Sequence, residues 1–210
     1  MFNYGFPKEW STIKKLIWLR AMQGGGLPEE IERAKYIQSA GGAYIVTNAY
    51  LSGDSTVIMD VEFTKNTAGN VFGCYKSTST DNNFSVYRSV PGGDVGKRSY
   101  VRYNGQLYRN TDLTTERHKI LMNSSGLFVD GAQTDEFTPS TFTSDQKLYI
   151  GALANSSAAK LTGKIFGFTA KGLFDGIPAK RLVNGSYEFG LYDRIGKQFY
   201  PSNGEPFTGE

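Results

Sequence analysis

The sequence predicts an all-β fold: a sandwich of two antiparallel sheets, preceded by a short N-terminal helical arm. Composition is the first reason, since 25 Gly, 13 Tyr and 14 Phe among 210 residues suit many short strands joined by tight turns. Spacing is the second, because about a dozen strand-like segments recur roughly every 8–12 residues without helical patterns between them. With 39% hydrophobic residues, the chain can bury one substantial core as a single domain.

Residues 1–27 are predicted to form the arm. Pro7 suits the first turn of a helix, and the glycines at 24–26 end it, which is the usual asymmetry of helix termini. The arm either folds back on its own sandwich or serves as an attachment and oligomerisation helix, because two tryptophans give a short segment a large apolar surface. The residues predicted to form this contact surface are Trp10, Ile13, Ile17 and Trp18.

Residues 28–210 are predicted to form the sandwich. Pro28-Glu29-Glu30 is expected to begin one more helical turn, since acidic residues favour a helix start. Two strand-like segments, 36–38 and 44–47, then flank a turn at Gly41-Gly42.

The segment 56–64 is the clearest strand, with apolar side chains on one face and carboxylates on the other. Its inward residues are Val57, Met59, Val61 and Phe63, and its outward residues include Asp60 and Glu62. Asp130-Gly131 predicts a hairpin turn. The remaining strands are predicted at 70–76, 83–88, 98–103, 116–123, 146–151, 162–170, 178–183, 189–193 and 197–200.

Charge and cysteine content exclude several classes of protein. The net charge of +3 is small and no stretch concentrates basic residues, so nucleic acid is not expected as a partner. The single cysteine, Cys74, sits in a strand pattern and is expected in the core. Lys14-Lys15 precedes only four apolar residues, 16–19, which predicts neither a signal peptide nor a membrane span.

Three motifs resemble a known group of domains. The first is residues 36–47, which read Tyr-Ile-Gln-Ser-Ala-Gly-Gly-Ala-Tyr-Ile-Val-Thr, and the second combines 118–121 with the hairpin at 127–131. The third comprises Gly-Leu-Tyr-Asp at 190–193, the aromatic pair at 199–200 and Phe-Thr-Gly at 207–209. Together they resemble the laminin-G-like, concanavalin A-like lectin/glucanase domains of bacteriophage and prophage tail or virion proteins. The resemblance covers roughly residues 28–210.

The resemblance implies a concanavalin A-like jelly roll in a non-enzymatic structural protein of a phage or prophage virion. The role implied is a fibre, tail or head-decoration module that adheres to host-surface or mucus glycans. The arm would attach it to other virion proteins or make a homo-oligomer, and phage fibres favour a trimer by analogy. Assembly is expected in the host cytoplasm, with the virion as final location. A bacterial surface lectin and a glycanase on the same fold are the alternatives.

A carbohydrate site is predicted on the outward face of the central strands. Sugar sites stack an aromatic ring on the apolar sugar face and surround it with hydrogen-bonding side chains. A sheet that exposes Tyr and Arg is also ordinary, so the alternative is plain sheet surface. The residues predicted for the site, on one concave surface, are Tyr75, Tyr87, Arg98, Tyr100, Arg102, Asp60 and Glu62.

The sequence gives little evidence for a catalytic site or a metal site. A sandwich glycosidase needs paired carboxylates, and Asp60-Val61-Glu62 lacks a further Glu on its strand. The only histidine, His118, has no obvious Ser or Cys partner and is expected to be structural. We predict no cofactor, although the resemblance leaves open a Ca²⁺ ion whose ligands the sequence does not identify. Most of the five aspartates scattered in loops are expected to form turns instead: Asp54, Asp81, Asp94, Asp112 and Asp130.

Overall fold

The computed structural model describes residues 27–75, 82–90, 99–153 and 159–210. These residues form seventeen strands in two antiparallel sheets and contain no α-helix, which confirms the predicted all-β sandwich. No helix long and apolar enough to cross a bilayer occurs in these four ranges. The predicted arm lies outside them, apart from Leu27.

The larger sheet has eleven strands. Their bounds are β1 Ile31–Arg33, β2 Ile37–Ala40, β4 Val57–Phe63, β9 Arg117–Asn123, β10 Gly126–Val129, β11 Ala132–Glu136, β13 Thr162–Ala170, β14 Phe174–Val183, β15 Ser186–Asp193, β16 Gln198–Pro201 and β17 Thr208–Gly209. The main order is β11-β10-β9-β4-β13-β14-β15-β16. Strand β2 also pairs with β13, β1 with β14, and β17 with β2.

The smaller sheet has six strands in the order β3-β12-β5-β6-β7-β8. Their bounds are β3 Ile45–Ser52, β5 Gly69–Cys74, β6 Phe84–Arg88, β7 Tyr100–Tyr103, β8 Gln106–Tyr108 and β12 Thr143–Ile150.

The core lies between the two sheets and is built from alternate residues of their strands. On β4 the four predicted inward side chains are all 1% exposed or less. Phe72 of the smaller sheet meets Phe168 of the larger one edge-on, with ring centroids 5.6 Å apart. Cys74 is fully buried, as predicted, and this burial raises the pKa of its thiol to about 12. Each sheet therefore has one apolar inner face and one outer face.

Three hairpins close with two-residue turns in which both residues have positive φ. Asp130-Gly131 was predicted and joins β10 to β11. Asn104-Gly105 joins β7 to β8, and Asn184-Gly185 joins β14 to β15. Asn, Asp and Gly tolerate this left-handed backbone best. The Asn-Gly pair at 104–105 was the available signal for β8, which the sequence analysis missed.

The beginning of the sandwich differs from the prediction at its first turn. Pro28 accepts a hydrogen bond from the Ile31 amide at 2.8 Å, so 28–31 is a single turn that leads into β1 and not into a helix. Pairing with β14 supplies the backbone hydrogen bonds that a helix would otherwise provide. The predicted strand segments on either side of Gly41-Gly42 belong to different sheets, β2 to the larger and β3 to the smaller.

The two ends of the described chain meet in the larger sheet. Strand β17 pairs with β2, placing Thr208 opposite Gln38 and Gly209 opposite Ile37. The Lys35 amide donates to the carbonyl of Glu210. The opening and closing motifs of the sequence are thus direct neighbours in the larger sheet.

Candidate functional site

Four of the predicted site residues lie together on the outer face of the six-stranded sheet. Val86 and Val101 point into the core, so the alternation of β6 and β7 turns Tyr87, Tyr100 and Arg102 outward. Tyr75 follows buried Cys74 and also lies on this side. The structure confirms this placement. We call Tyr75, Tyr87, Tyr100 and Arg102 the tyrosine–arginine surface.

The side chains of this surface contact one another closely. Tyr87 and Tyr100 face each other across β6 and β7, with ring centroids 4.5 Å apart and ring planes at 17°. The guanidinium carbon of Arg102 lies 5.2 Å from the ring centroid of Tyr75 and 5.7 Å from that of Tyr100. All four side chains are half-buried. Arg102 is therefore held by two aromatic faces in a partly dry position.

Small residues of neighbouring strands support this surface from below. Ser85 lies opposite Arg102 and next to Gly73, and it points outward. It is nevertheless only 1% exposed, because other side chains cover it. A Cβ atom on Gly73 would come within 2.4 Å of the Ser85 Cβ and 2.8 Å of a Leu153 methyl carbon. Gly73 thus makes room for Leu153 to pack on the outer face.

The polar side-chain groups of this surface are not engaged by other described residues. Neither Arg102 nor the hydroxyls of Tyr75, Tyr87 and Tyr100 form a hydrogen bond or ion pair there. Strands β5 to β8 contain no Asp or Glu. Burial, and then the neighbouring Tyr87, raises the pKa of Tyr100, so its phenol is neutral at ordinary pH and can donate a hydrogen bond.

Arg109 is a further member of this region that the sequence analysis missed. Its guanidinium carbon lies 5.6 Å from the ring centroid of Tyr100, on the exposed side of the sheet. It follows β8 directly, so recognising the Asn104-Gly105 hairpin would have brought it to the same face.

The prediction that Asp60 and Glu62 share this surface is wrong. Both residues lie on β4, which belongs to the eleven-stranded sheet, and they point to the opposite outside face of the sandwich. Asp60 forms a two-pronged ion pair with Arg117 at 2.8 and 2.9 Å, and Glu62 pairs with Lys164 at 3.0 Å. Strand order depends on long-range pairing, which the alternation within β4 does not reveal.

The remaining predicted site residues lie outside the described ranges. These are Arg98 of the carbohydrate site, Asp81 and Asp94 of the turns, and Trp10, Ile13, Ile17 and Trp18 of the arm. In the described part of the chain, no three His, Cys, Asp or Glu side chains come close enough to hold a metal ion.

His118 has partners that the sequence analysis did not identify. Its Nδ1 lies 2.7 Å from a carboxylate oxygen of Asp130, and its Nε2 lies 3.1 Å from the hydroxyl of Thr114. The other Asp130 oxygen accepts the Lys119 amide at 2.8 Å. This hydroxyl–imidazole–carboxylate order is that of a hydrolase triad. However, the His118 side chain is only 8% exposed and packs beside Phe63. We therefore interpret these hydrogen bonds as structural contacts that stabilise the hairpin turn.

Two clefts elsewhere compete with the tyrosine–arginine surface as candidate sites. A cleft of about 400 Å³ lies on the outer face of β9 and β10, and its lining offers Lys119 and Asn123 as polar side chains. A second, of about 460 Å³, opens between β3 and the turn after β15. Its buried carboxylate, Asp193, already accepts three backbone amides. We favour the tyrosine–arginine surface because its hydrogen-bonding groups remain available.

Comparison with known proteins identifies the fold. No protein-family model matches the chain, and no curated protein matches it. Among solved structures, it is similar to a candidate carbohydrate-binding protein from Bacteroides ovatus, with a TM-score of 0.52 and 16% sequence identity. The two share a β-sandwich fold. The match covers 85% of this chain but 60% of the Bacteroides protein, so the chain spans less than two thirds of that protein's length.

Proposed function

We propose that this protein is a non-enzymatic carbohydrate-binding module, and that the tyrosine–arginine surface is its sugar site. One observation carries the proposal: Arg102 lies over Tyr75 and Tyr100, Tyr87 stacks on Tyr100, and the hydroxyl and guanidinium groups have no hydrogen-bond partner among the described residues. The similarity to a candidate carbohydrate-binding protein supports it at the level of the fold.

The chemistry of the surface suits a sugar. An aromatic ring packs on the apolar C–H face of a pyranose, while hydroxyl and guanidinium groups hydrogen-bond the sugar hydroxyls. The rings of Tyr87 and Tyr100 are pre-positioned by their own contact, so little side-chain entropy is lost when a ligand binds.

The proposal that the module is not an enzyme is supported by the carboxylates of β4. A retaining glycosidase needs two carboxyl groups about 5–5.5 Å apart that are free to act as acid and nucleophile. In this protein the hydrogen bond with Asp60 raises the pKa of Arg117, and Glu62 is bound to Lys164. Both carboxylates are engaged as ion-pair partners, on the face opposite the tyrosines.

We further propose that the module belongs to a phage or prophage virion. The three sequence motifs support this, and two of them pair directly through β2 and β17. In this setting residues 1–27 would attach the sandwich to other virion proteins or join copies of the chain, with a trimer favoured. Many copies would make weak individual sugar sites effective.

The sugar-binding proposal is tested by screening the full chain on a glycan array. The double variant Tyr75→Ala/Tyr100→Ala should lose binding, whereas Tyr187→Ala, an exposed tyrosine on β15, should retain it. Thermal melts check that all variants fold. A release assay for reducing ends on every bound glycan tests catalysis, and turnover that disappears in Glu62→Gln would overturn the non-enzymatic part. Binding that survives the double variant would place the sugar site elsewhere.

The virion proposal is tested separately. A strain carrying the gene is induced, particles are purified on a density gradient, and their proteins are identified by mass spectrometry. The chain should co-purify with capsid or tail proteins at a fixed ratio. Its absence from intact particles would overturn the virion role and leave the sugar-binding proposal in place.

A further inference from the structure

We propose that the sugar recognised by the tyrosine–arginine surface is an anionic one, and that Arg102 binds its carboxylate or sulfate group. The inference rests on the proposed function and specifies the class of glycan.

The main observation is that the charge of Arg102 has no counter-ion among the described residues. Its guanidinium has aromatic contacts only, with Tyr75 and Tyr100, and all five of its N–H donors lack an acceptor among the described residues. The strands around it, β5 to β8, contain no acidic residue that could act as a counter-ion.

Four other arginines among the described residues do have polar partners. Arg88, on the neighbouring strand, points inward and donates to three backbone carbonyls. The outer arginines 117, 181 and 194 are each paired with a carboxylate at 2.8 Å or less. Arg102 thus has its aromatic supports in place but no acidic partner in the described part of the chain.

Stacking favours an anion over a neutral sugar. The rings of Tyr75 and Tyr100 shield part of the guanidinium from water and hold its plane, so less conformational freedom is lost on binding. A planar guanidinium donates two parallel hydrogen bonds to a carboxylate or sulfate, and such charge-assisted bonds are stronger than bonds to neutral hydroxyls. A neutral sugar presents only hydroxyl acceptors. The surface is therefore better matched to a ligand that supplies the missing negative charge.

The phenol of Tyr100 complements this role. The raised pKa of Tyr100 keeps a hydroxyl donor beside the guanidinium instead of a phenolate that would repel an anion. Tyr87 stacks on Tyr100 and fixes its orientation. The sugar ring would then pack on tyrosine while its acidic group meets Arg102.

The test is isothermal titration of the full chain with three short oligosaccharides: an oligogalacturonate, a sulfated galactan fragment and the neutral galacto-oligosaccharide. We expect at least one anionic ligand to bind about tenfold more tightly than the neutral one, as a charge-assisted pair would give. The preference should shrink as salt is raised from 50 to 500 mM, because the half-exposed pair is screened. The two anionic ligands distinguish carboxylate from sulfate.

Matched variants assign the preference to Arg102. Arg102→Gln should remove it, and Arg102→Lys should retain only part, because an ammonium lacks the two-pronged geometry. Arg117→Gln is the control, since Arg117 also lies over an aromatic ring, that of Phe166 at 3.7 Å, but on the other sheet. It should leave the preference unchanged.

The outcomes separate the two proposals. If the neutral sugar binds as well as the charged ones and Tyr75→Ala/Tyr100→Ala abolishes this binding, the anion inference is wrong and the sugar-binding function stands. An equal loss of preference in Arg102→Gln and Arg117→Gln would show general electrostatic attraction and would also overturn it. If no sugar binds on the array or in titration, the proposed function itself fails.

Discussion

The outer faces of the two sheets use similar side chains in opposite ways. On the eleven-stranded sheet, Asp60 and Glu62 are paired with Arg117 and Lys164, and Arg117 also lies over Phe166. On the six-stranded sheet, Arg102 lies over two tyrosines without a carboxylate among the described residues. On the first face these four charges compensate one another, whereas on the second the charge of Arg102 has no acidic partner among the described residues.

This difference separates residues that complete the fold from residues available to a ligand. Ion pairs at a half-exposed surface contribute little stability. Asp60 and Glu62 therefore act mainly as counter-ions for Arg117 and Lys164 on their own face. Arg102 is stacked but has no carboxylate partner among the described residues, so it has no comparable structural role. The contrast between Arg102 and inward-pointing Arg88, on adjacent strands, leads to the same conclusion.

The largest effect on stability is expected from Gly73→Ala, which tests how the packing of the two outer faces differs. This replacement places a Cβ 2.4 Å from the Ser85 Cβ, which should lower the free energy of unfolding by about 1–3 kcal/mol. Gly167→Ala on the other sheet is the control, because its Cβ would meet only a carbonyl at 3.9 Å. Urea denaturation of both variants measures the difference. Equal midpoints would contradict the proposed close packing beneath the tyrosine–arginine surface.

A smaller effect is expected from Tyr87→Ala. It removes the contact with Tyr100 and should cost about 0.5–1.5 kcal/mol beyond the lost buried area. The control is Tyr50→Ala, on the same sheet, where the side chain is 45% exposed and the change should be under about 0.5 kcal/mol. A double-mutant cycle with Tyr100→Ala isolates the ring–ring term. Strict additivity would mean that the rings do not pre-organise each other.

The smallest effect concerns acid pH and the larger sheet. Desolvation works to raise the pKa of Asp130, but hydrogen bonds from His118 and the Lys119 amide outweigh it and hold that pKa below its ordinary value. The resulting stability is therefore present above the ordinary carboxyl pKa of about 4 and is lost as the pH falls through the lower folded value.

Asp130→Asn tests this pH dependence, because Asn also tolerates the positive φ of the turn. The variant should be less stable by under about 1 kcal/mol at pH 7, since the Asp130 side chain is 52% exposed, and should match the parent at pH 2. Exposed Asp145→Asn should show no such change. A difference that persists at pH 2 would mean that packing, and not ionisation, is responsible.

Much of the fold could be predicted because it depends on local pattern. The alternation in β4 placed four side chains in the core, and the bounds predicted for β13, 162–170, are those observed. The directions of Tyr87, Tyr100 and Arg102 followed from the same two-residue period. Asp130-Gly131 has the backbone that its turn type requires.

The errors arose where distant pairing overrides local preference. Pro28-Glu29-Glu30 has helix-start composition, yet the chain extends at Ile31 because β14 offers a pairing edge there. Asp60 and Glu62 do not share a face with the tyrosines, because β4 pairs with β9 and β13 in the larger sheet. The local sequence around these residues does not indicate such partners, because the partners lie far away along the chain.

For this protein, the sequence by itself determined which side chains leave each strand on which side, because alternation is a property of the extended backbone. It also determined where the chain reverses, since Asp-Gly and Asn-Gly accept positive φ. Only the tertiary structure decided which outward side chains share a surface. That depends on the order of strands in each sheet, and hydrogen bonds between distant segments place β4 on one side of the core and β5 to β7 on the other.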